Sequence, residues 1–474
     1  MTVDPLSPIA PARLRVLLLP VGRIRRSRFL SFAERLRAHN VVRLGDISPE
    51  GRTSKNTFSP LAYPSGMIIY DLSISVPPIS HLEVFPFELF REPLVILAIA
   101  DGAEISVDEH SGRDSSSKER SNGTDPAKHP TPEGLGLLIQ ELDGISTDYP
   151  KSVIQQLLIF DYEGLDNIVS TPEQVIWIPS QEASRPTTMK TVMCDISARV
   201  LGGLQMFSES VLHWQSIESP KVSSWGPRRT LDSRPSEKLA HRMTMPAQLP
   251  SRPNELSSEG PESSSSHESP TTFDEITRSI QISNKATSNL SSGSKPRSKE
   301  HSRERSSVTG ISSIPSNERS KARFQGRLHV LSGILYLQGG IWPEALKDLV
   351  EGAAIARSGS DYIWHAKALE AILICLLMFG WVGANFQIPP ICFPNSDRAA
   401  SKTPPSLGNV ESHGKSEPAA RALALQNLAN ILPDISNYIL SLYNRAINIT
   451  DEPLPQLVFS ETVIRLAKLL ATVQ

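Results

Sequence analysis

The chain has 474 residues, with 48 Lys and Arg against 50 Asp and Glu, a formal net charge of −2 and 39% hydrophobic residues. A balance this close to neutral gives no whole-chain reason to bind nucleic acid, because affinity for phosphate backbones needs concentrated positive charge. The hydrophobic share falls below that of ordinary globular chains (~45–50%, counting Gly), so part of the sequence is not expected to fold.

Three scattered cysteines, Cys194, Cys375 and Cys392, with no CxxC pair, argue against a disulfide framework or a zinc site and for a reducing compartment. The apolar run Val16–Val21 is shorter than a signal-peptide core, so secretion is not expected.

The first 43 residues hold nine Arg against only Asp4 and Glu34. Arg23, Arg25 and Arg26 precede the first expected helix, where backbone donors and the helix dipole favour an anion or an acidic partner. The competing reading is a solvated basic face. Around them, strand and helix signals alternate. Arg15–Leu19 reads as a strand, and Phe29, Leu30, Phe32, Ala33 and Leu36 recur at helical spacing behind it. Further strands are expected at Val41–Leu44, Met67–Tyr70, Leu94–Ala100, Leu157–Phe160 and Val175–Ile178, with helices at Gly134–Leu142 and Thr188–Trp214. Several runs are continuously apolar, as strands covered on both faces are, so residues 1–219 are expected to form an α/β domain with a mainly parallel sheet. A disordered insertion is expected at about 102–132.

Residues 220–320 read as a Ser-rich disordered linker. Of the residues from Lys221 to Ser320, 26 in 100 are Ser, too few of the rest being apolar to offset the entropy of ordering. Its basic end, Lys295–Arg323, has the look of a phosphorylatable tether.

From 321 to 474 the pattern becomes helical, as in a solenoid, with a loop at about 394–419. Leu328, Leu331, Ile334 and Leu335 mark one helix, Ala345, Leu346 and Leu349 the next, and Ile363 to Leu376 a third. The apolar stretch Ala371–Val382 is too short to cross a bilayer and reads as a buried helix. Gly333, Tyr336 and Ala345 stand in tetratricopeptide spacing, the small residues letting paired helix backbones approach, although Arg357 replaces the usual terminal Pro. Amphipathic stretches at Arg421–Ala446 and Ser460–Val473 extend the array.

No phosphate loop, dinucleotide fingerprint, nucleophile elbow or zinc-protease motif occurs, and no cofactor or metal site is implied. Asp71, Asp101 and Asp161 follow strand runs, the place where α/β enzymes put ligands. They keep open a nucleotide-binding or hydrolytic enzyme as an alternative, and the Arg cluster keeps open a peripheral membrane module.

The strings Pro20-Val-Gly-Arg-Ile-Arg-Arg-Ser-Arg-Phe-Leu-Ser-Phe-Ala-Glu-Arg-Leu-Arg, Val41-Val-Arg-Leu-Gly-Asp-Ile-Ser-Pro and the helical run from Gly326 to Ala353 resemble the fungal large TRAPP II subunit, the hypercellular-protein family. That resemblance implies a non-catalytic scaffold of a vesicle-tethering complex that supports nucleotide exchange on Rab-type GTPases. It places the chain in the cytoplasm, peripheral at the Golgi and trans-Golgi network. The implied partners are other TRAPP subunits and, indirectly, Rab-type GTPases; contact with the Golgi membrane is an expectation of the Arg cluster alone. The family's β-sandwich region is missing and the chain stops at Gln474 inside a helical pattern, so a truncated chain is expected.

Overall fold

A computed structural model describes residues 4–48, 57–104, 133–162, 172–220, 316–393, 417–450 and 454–473. The expected insertion at 102–132, linker at 220–320 and loop at 394–419 fall almost wholly outside these residues. Residues 1–225 and 314–474 make one compact unit; the second unit, 226–313, lies outside the description.

All six expected strands form. They are β1 (Arg13–Pro20), β2 (Val41–Arg43), β3 (Met67–Ser73), β4 (Val95–Asp101), β5 (Ile154–Phe160) and β6 (Val175–Ile178), in the order β2-β3-β1-β4-β5-β6. Every pairing is parallel except the short edge pair β2–β3, so the sheet is mainly parallel, as its unbroken apolar runs require. β4 is buried along its whole length. Its odd and even residues feed two cores, which is why its sequence does not alternate.

Helices α1 (Arg26–Arg37) and α3 (Thr188–Leu212) contribute Phe29, Phe32, Leu36, Met193, Ile196 and Val200 to the core that holds Leu97, Ile99, Leu158 and Phe160. Helix α2 (Glu133–Asp148) lays Leu135, Leu138 and Leu142 against Ala98, Ala100, Leu157 and Ile159 on the opposite face. The arrangement is doubly wound. β1 has β3 on one side and β4 on the other, so the strand order reverses beside it.

The helical region contains α4 (Ser316–Gln338), α5 (Trp342–Ser358), α6 (Tyr362–Val382), α7 (Glu417–Ile449) and α8 (Gln456–Val473). Helix α4 starts inside the segment read as linker, because its first turns are polar and exposed and carry no apolar period. Gly340 and Gly383, with φ of +79° and +78°, end α4 and α6 in the left-handed conformation that glycine adopts without penalty.

These helices pack on the amino-terminal ends of the strands. Gln338 Nε2 reaches the Arg13 carbonyl at 3.4 Å, Phe58 stacks on Tyr336 with ring centroids 4.6 Å apart, and Phe87 meets Trp364 edge to face at 5.2 Å. One continuous hydrophobic core therefore runs from Leu14 and Phe32 through Trp342 and Trp364 to Leu442 and Val458. Helix α6 is long and apolar enough to cross a membrane, but it is almost wholly buried within this core.

Candidate functional site

The carboxyl-terminal edge of the sheet is where a doubly wound fold holds ligands. Here that edge is occupied by the chain's own side chains. Arg28 and Arg35 lie seven residues apart on one face of α1. The Arg28 guanidinium forks onto both carboxylate oxygens of Asp101 at 2.7 Å each and reaches Asp161 at 3.2 Å. Arg35 donates to Asp161 at 3.0 Å and to the Pro179 carbonyl at 3.3 Å. Between them Phe32 stacks on Phe160 at 4.4 Å, and both guanidinium groups lie over the Phe32 ring. The hydrogen bond to Asp101 holds the Arg28 pKa above its ordinary value, despite an opposing desolvation effect.

Beside this cluster, at the β1–β4 reversal, Gly22 has φ +65° and donates its N–H to Glu141 at 2.8 Å. A Cβ at Gly22 would lie 2.6 Å from Leu138, so α2 seals the turn where a phosphate-binding fold leaves room. Asp71 is not at a strand end as its sequence position implies. β3 continues to Ser73, and Asp71 sits in register with Arg15 on β1, paired at 3.3 Å. Asp71 and Asp161, and Asp101 with them, are thus acceptors in arginine networks that tie neighbouring elements together.

Arg23 and Arg25 are exposed between β1 and α1, and Arg26 is exposed at the first position of α1, so the helix begins one residue inside the trio expected to precede it. Arg25 is 81% exposed and 3.8 Å from Glu104, a distance that binds it weakly. The six other arginines of the N-terminal set divide differently: Arg13, Arg15, Arg28, Arg35 and Arg37 hydrogen-bond within the fold, whereas Arg43 extends from the edge strand. The periodicity of α1 did not separate Arg28 and Arg35 from the exposed trio; their i, i+7 spacing around Phe32 is the signal that does.

Gly333, Tyr336 and Ala345 lie together elsewhere, in the α4–α5 hairpin. A Cβ on Gly333 would fall 2.6 Å from Leu349 Cγ and 3.1 Å from the Ala345 carbonyl oxygen, and Ala345 is fully buried. Tyr336 packs outward onto Phe58. One turn pair further along, a Cβ on Gly352 would meet Val330 at 2.7 Å and the Gly326 carbonyl oxygen at 3.0 Å. Gly326 and Gly333, and Ala345 and Gly352, are each seven residues apart, so two small-residue pairs face one another along antiparallel helices. Tetratricopeptide spacing relates Gly333 to Ala345 but does not mark Gly326 and Gly352.

A third cluster joins sheet and helices. Glu88, from the loop before β4, is fully buried and accepts from Lys367 Nζ of α6 at 3.0 Å and Arg465 of α8 at 3.5 Å, and also pairs with Arg91. Arg91 reaches Glu461 at 2.6 Å, while Glu370 accepts from the Tyr443 hydroxyl at 2.6 Å and Thr462 at 3.1 Å. Burial alone would raise the Glu88 pKa, but Lys367, Arg91 and Arg465 together hold it down to about 2. Three carboxylates and three cations balance here, the condition under which burying charge is tolerable.

Comparison with known proteins follows this division of the chain. The family model for the Trs120/TRAPPC9 N-terminal domain matches residues 5–392, from the turns just before β1 to the short 3-10 helix Pro390–Cys392 that follows α6. The chain belongs to the Trs120/TRAPPC9 family. The family's tetratricopeptide model matches residues 428–474, a range that includes the end of α7 and all of α8. The Gly333–Tyr336–Ala345 hairpin therefore belongs to the N-terminal domain of the Trs120/TRAPPC9 family, ahead of its tetratricopeptide region.

Transport protein particle subunit trs120 of Schizosaccharomyces pombe is 26% identical over 475 residues, covering 100% of this chain and 31% of that protein. Trafficking protein particle complex II-specific subunit 120 of Saccharomyces cerevisiae is 24% identical over 392 residues, covering 81% of this chain and 25% of that protein. The chain thus spans about a third of these Trs120 relatives or less. Among the described residues no three His, Cys, Asp or Glu are grouped to hold a metal ion, and Cys194, Cys375 and Cys392 are buried free thiols. Burial pushes the Cys392 thiol up to about 12, far from a reactive thiolate.

Proposed function

We propose that this chain acts as a non-catalytic scaffold subunit of a TRAPP II-type vesicle-tethering complex, supporting nucleotide exchange on Rab-type GTPases. Its place of action in this reading is the cytoplasmic face of the Golgi and trans-Golgi network. The observation that carries the proposal is membership of the Trs120/TRAPPC9 family across residues 5–392, together with relatives whose names place them in the transport protein particle. The occupied strand-end carboxylates support it from the other side. An enzyme working through Asp101 or Asp161 would first have to displace Arg28 and Arg35.

The partners of this reading are other TRAPP subunits, with GTPases engaged through them. Affinity purification of the tagged chain from a fungal cell tests it. Recovery with the small TRAPP subunits is the expected result, and recovery without them overturns the scaffold role.

A second contact, with an anionic Golgi membrane, is favoured by the exposure of Arg23, Arg25 and Arg26 around the start of α1. Charge reversal of all three should lower binding to vesicles rich in anionic lipid. Unchanged binding leaves the trio as solvated surface.

A further inference from the structure

Strand β2 is an edge strand, and among the described residues no strand pairs with its outer side. Asn40 accepts from the Tyr70 N–H at 2.8 Å, Leu44 donates to the Gly66 carbonyl at 2.9 Å, and Val42 stands in register with Ile68 between them. In an antiparallel pair the residues between such positions turn their N–H and C=O groups the other way. The main-chain groups of Val41 and Arg43 therefore face away from β3, and residues 38–43 line a cleft of about 830 Å³. Trp381, 54% exposed, stands in the same cleft, and Val41 is 41% exposed. Large apolar side chains held in water beside unpaired strand edges mark binding surfaces.

Charge decides what fits. Lys190 in the cleft is paired with Asp46 at 3.0 Å, whereas Arg43 is exposed and has no ion pair among the described residues. Val41 and Arg43 lie two apart, so their side chains share one face of the strand and an added strand would meet both with residues that are also two apart.

We propose that this cleft receives an extended segment of another polypeptide, added as a strand to β2, with an apolar side chain opposite Val41 and an acidic one opposite Arg43. Main-chain hydrogen bonds to Val41 and Arg43 supply the docking, Trp381 covers the apolar residue, and Arg43 selects for the acid.

The test uses the 474-residue chain and a fluorescent blocked heptapeptide, Ser-Thr-Val-Thr-Glu-Thr-Ser, with a Lys-for-Glu version as control. Fluorescence anisotropy is expected to show saturable binding of the Glu peptide below about 1 mM, weakened at least about tenfold by Arg43→Glu, with the preference inverted toward the Lys peptide. Arg43 has φ −76° and follows an extended residue, so Arg43→Pro fits the backbone and removes only the outward N–H beyond what Arg43→Ala removes. Arg43→Pro should bind at least about threefold more weakly than Arg43→Ala, at equal melting temperature. No saturable binding, equal binding of both peptides, or equal binding by Arg43→Ala and Arg43→Pro overturns the proposal. Self-association of the wild-type chain that Arg43→Glu abolishes overturns it too, by making a second copy the occupant.

Discussion

Lys367 Nζ lies 3.0 Å from Glu88 Oε1, both groups being almost wholly buried although 279 residues separate them in sequence. The pair ties α6 to the loop that feeds β4, and Arg465 extends the tie to α8. Removing one partner of such a network leaves charge buried without compensation, which costs far more than removing both. Lys367→Ala should therefore destabilise the chain by about 3–5 kcal/mol in urea unfolding, while the double substitution Lys367→Met, Glu88→Met costs less. A double variant as unstable as the single one would show that the pair contributes packing rather than charge balance.

Acid should loosen the same region. His365 is buried on α6 beside Lys367, its ring edge to face with Tyr438 at 5.7 Å, and its Nε2 has no hydrogen-bond partner. Burial, with the nearby Arg357 charge, lowers its pKa from 6.5 to about 4. A base whose folded value is depressed resists protonation in the folded state, so the unfolded state binds more protons as the pH falls. Stability is fully present above about pH 6.5 and declines toward pH 4, by about 2 kcal/mol between pH 7 and pH 5 from this group. Glu88 acts in the same direction at lower pH: held near 2 against an ordinary 4.5, its contribution is present above about pH 5 and is lost toward pH 2. His365→Phe should flatten the pH 7 to 5 limb of a stability profile and leave the lower limb in place. An unchanged upper limb would assign that limb to another group.

The α4–α5 hairpin gives a steric prediction. Gly333→Ala puts a methyl 2.6 Å from Leu349 Cγ with the Ala345 carbonyl behind it, so the helices must separate, at about 1–3 kcal/mol. The control is Gly144→Ala on α2, where an added Cβ meets nothing within 4 Å and helix propensity should give about 0.5–1 kcal/mol of stabilisation. Gly333→Ala should cost less on a Leu349→Ala background than in the wild-type chain, because the clash is with that side chain. Thermal melts of the wild-type chain, the three single variants and the double variant decide the matter.

What could be read from sequence and what could not divide along contact distance. The strands β1, β4 and β5 were legible because Leu17, Leu97 and Leu158 sit in local runs whose period reports burial on both faces. Gly333 and Ala345 were legible because the hairpin joins them within a dozen residues. Asp101 and Asp161 were visible as strand-end carboxylates, but their engagement by Arg28 and Arg35 spans 73 and 126 residues. No local pattern encodes that distance. Glu88 with Lys367 is the same case at greater range, 279 residues. Asp71 misled for a simpler reason: its charge suggested a strand end, yet pairing with Arg15 on the neighbouring strand lets β3 run through it.

The arginines of the first 43 residues yield the last test, because the structure separates those that hold the fold from those that face solvent. Arg28 is the fork that compensates Asp101, whose side chain is 2% exposed. Arg28→Ala takes the guanidinium fork from that carboxylate, which keeps the Ala103 N–H at 3.2 Å, and should cost about 1–3 kcal/mol of stability. Asp101→Asn, which can still accept from Arg28, should cost less than Asp101→Ala. Arg25→Ala, 81% exposed and 3.8 Å from Glu104, should leave stability unchanged within error. If the trio binds an anionic surface, Arg25→Ala joined with Arg23→Ala and Arg26→Ala lowers vesicle binding with no change in melting temperature, whereas Arg28→Ala lowers the melting temperature first. Equal stability losses at Arg25 and Arg28 would mean that the two positions share one structural role, against the geometry that separates them.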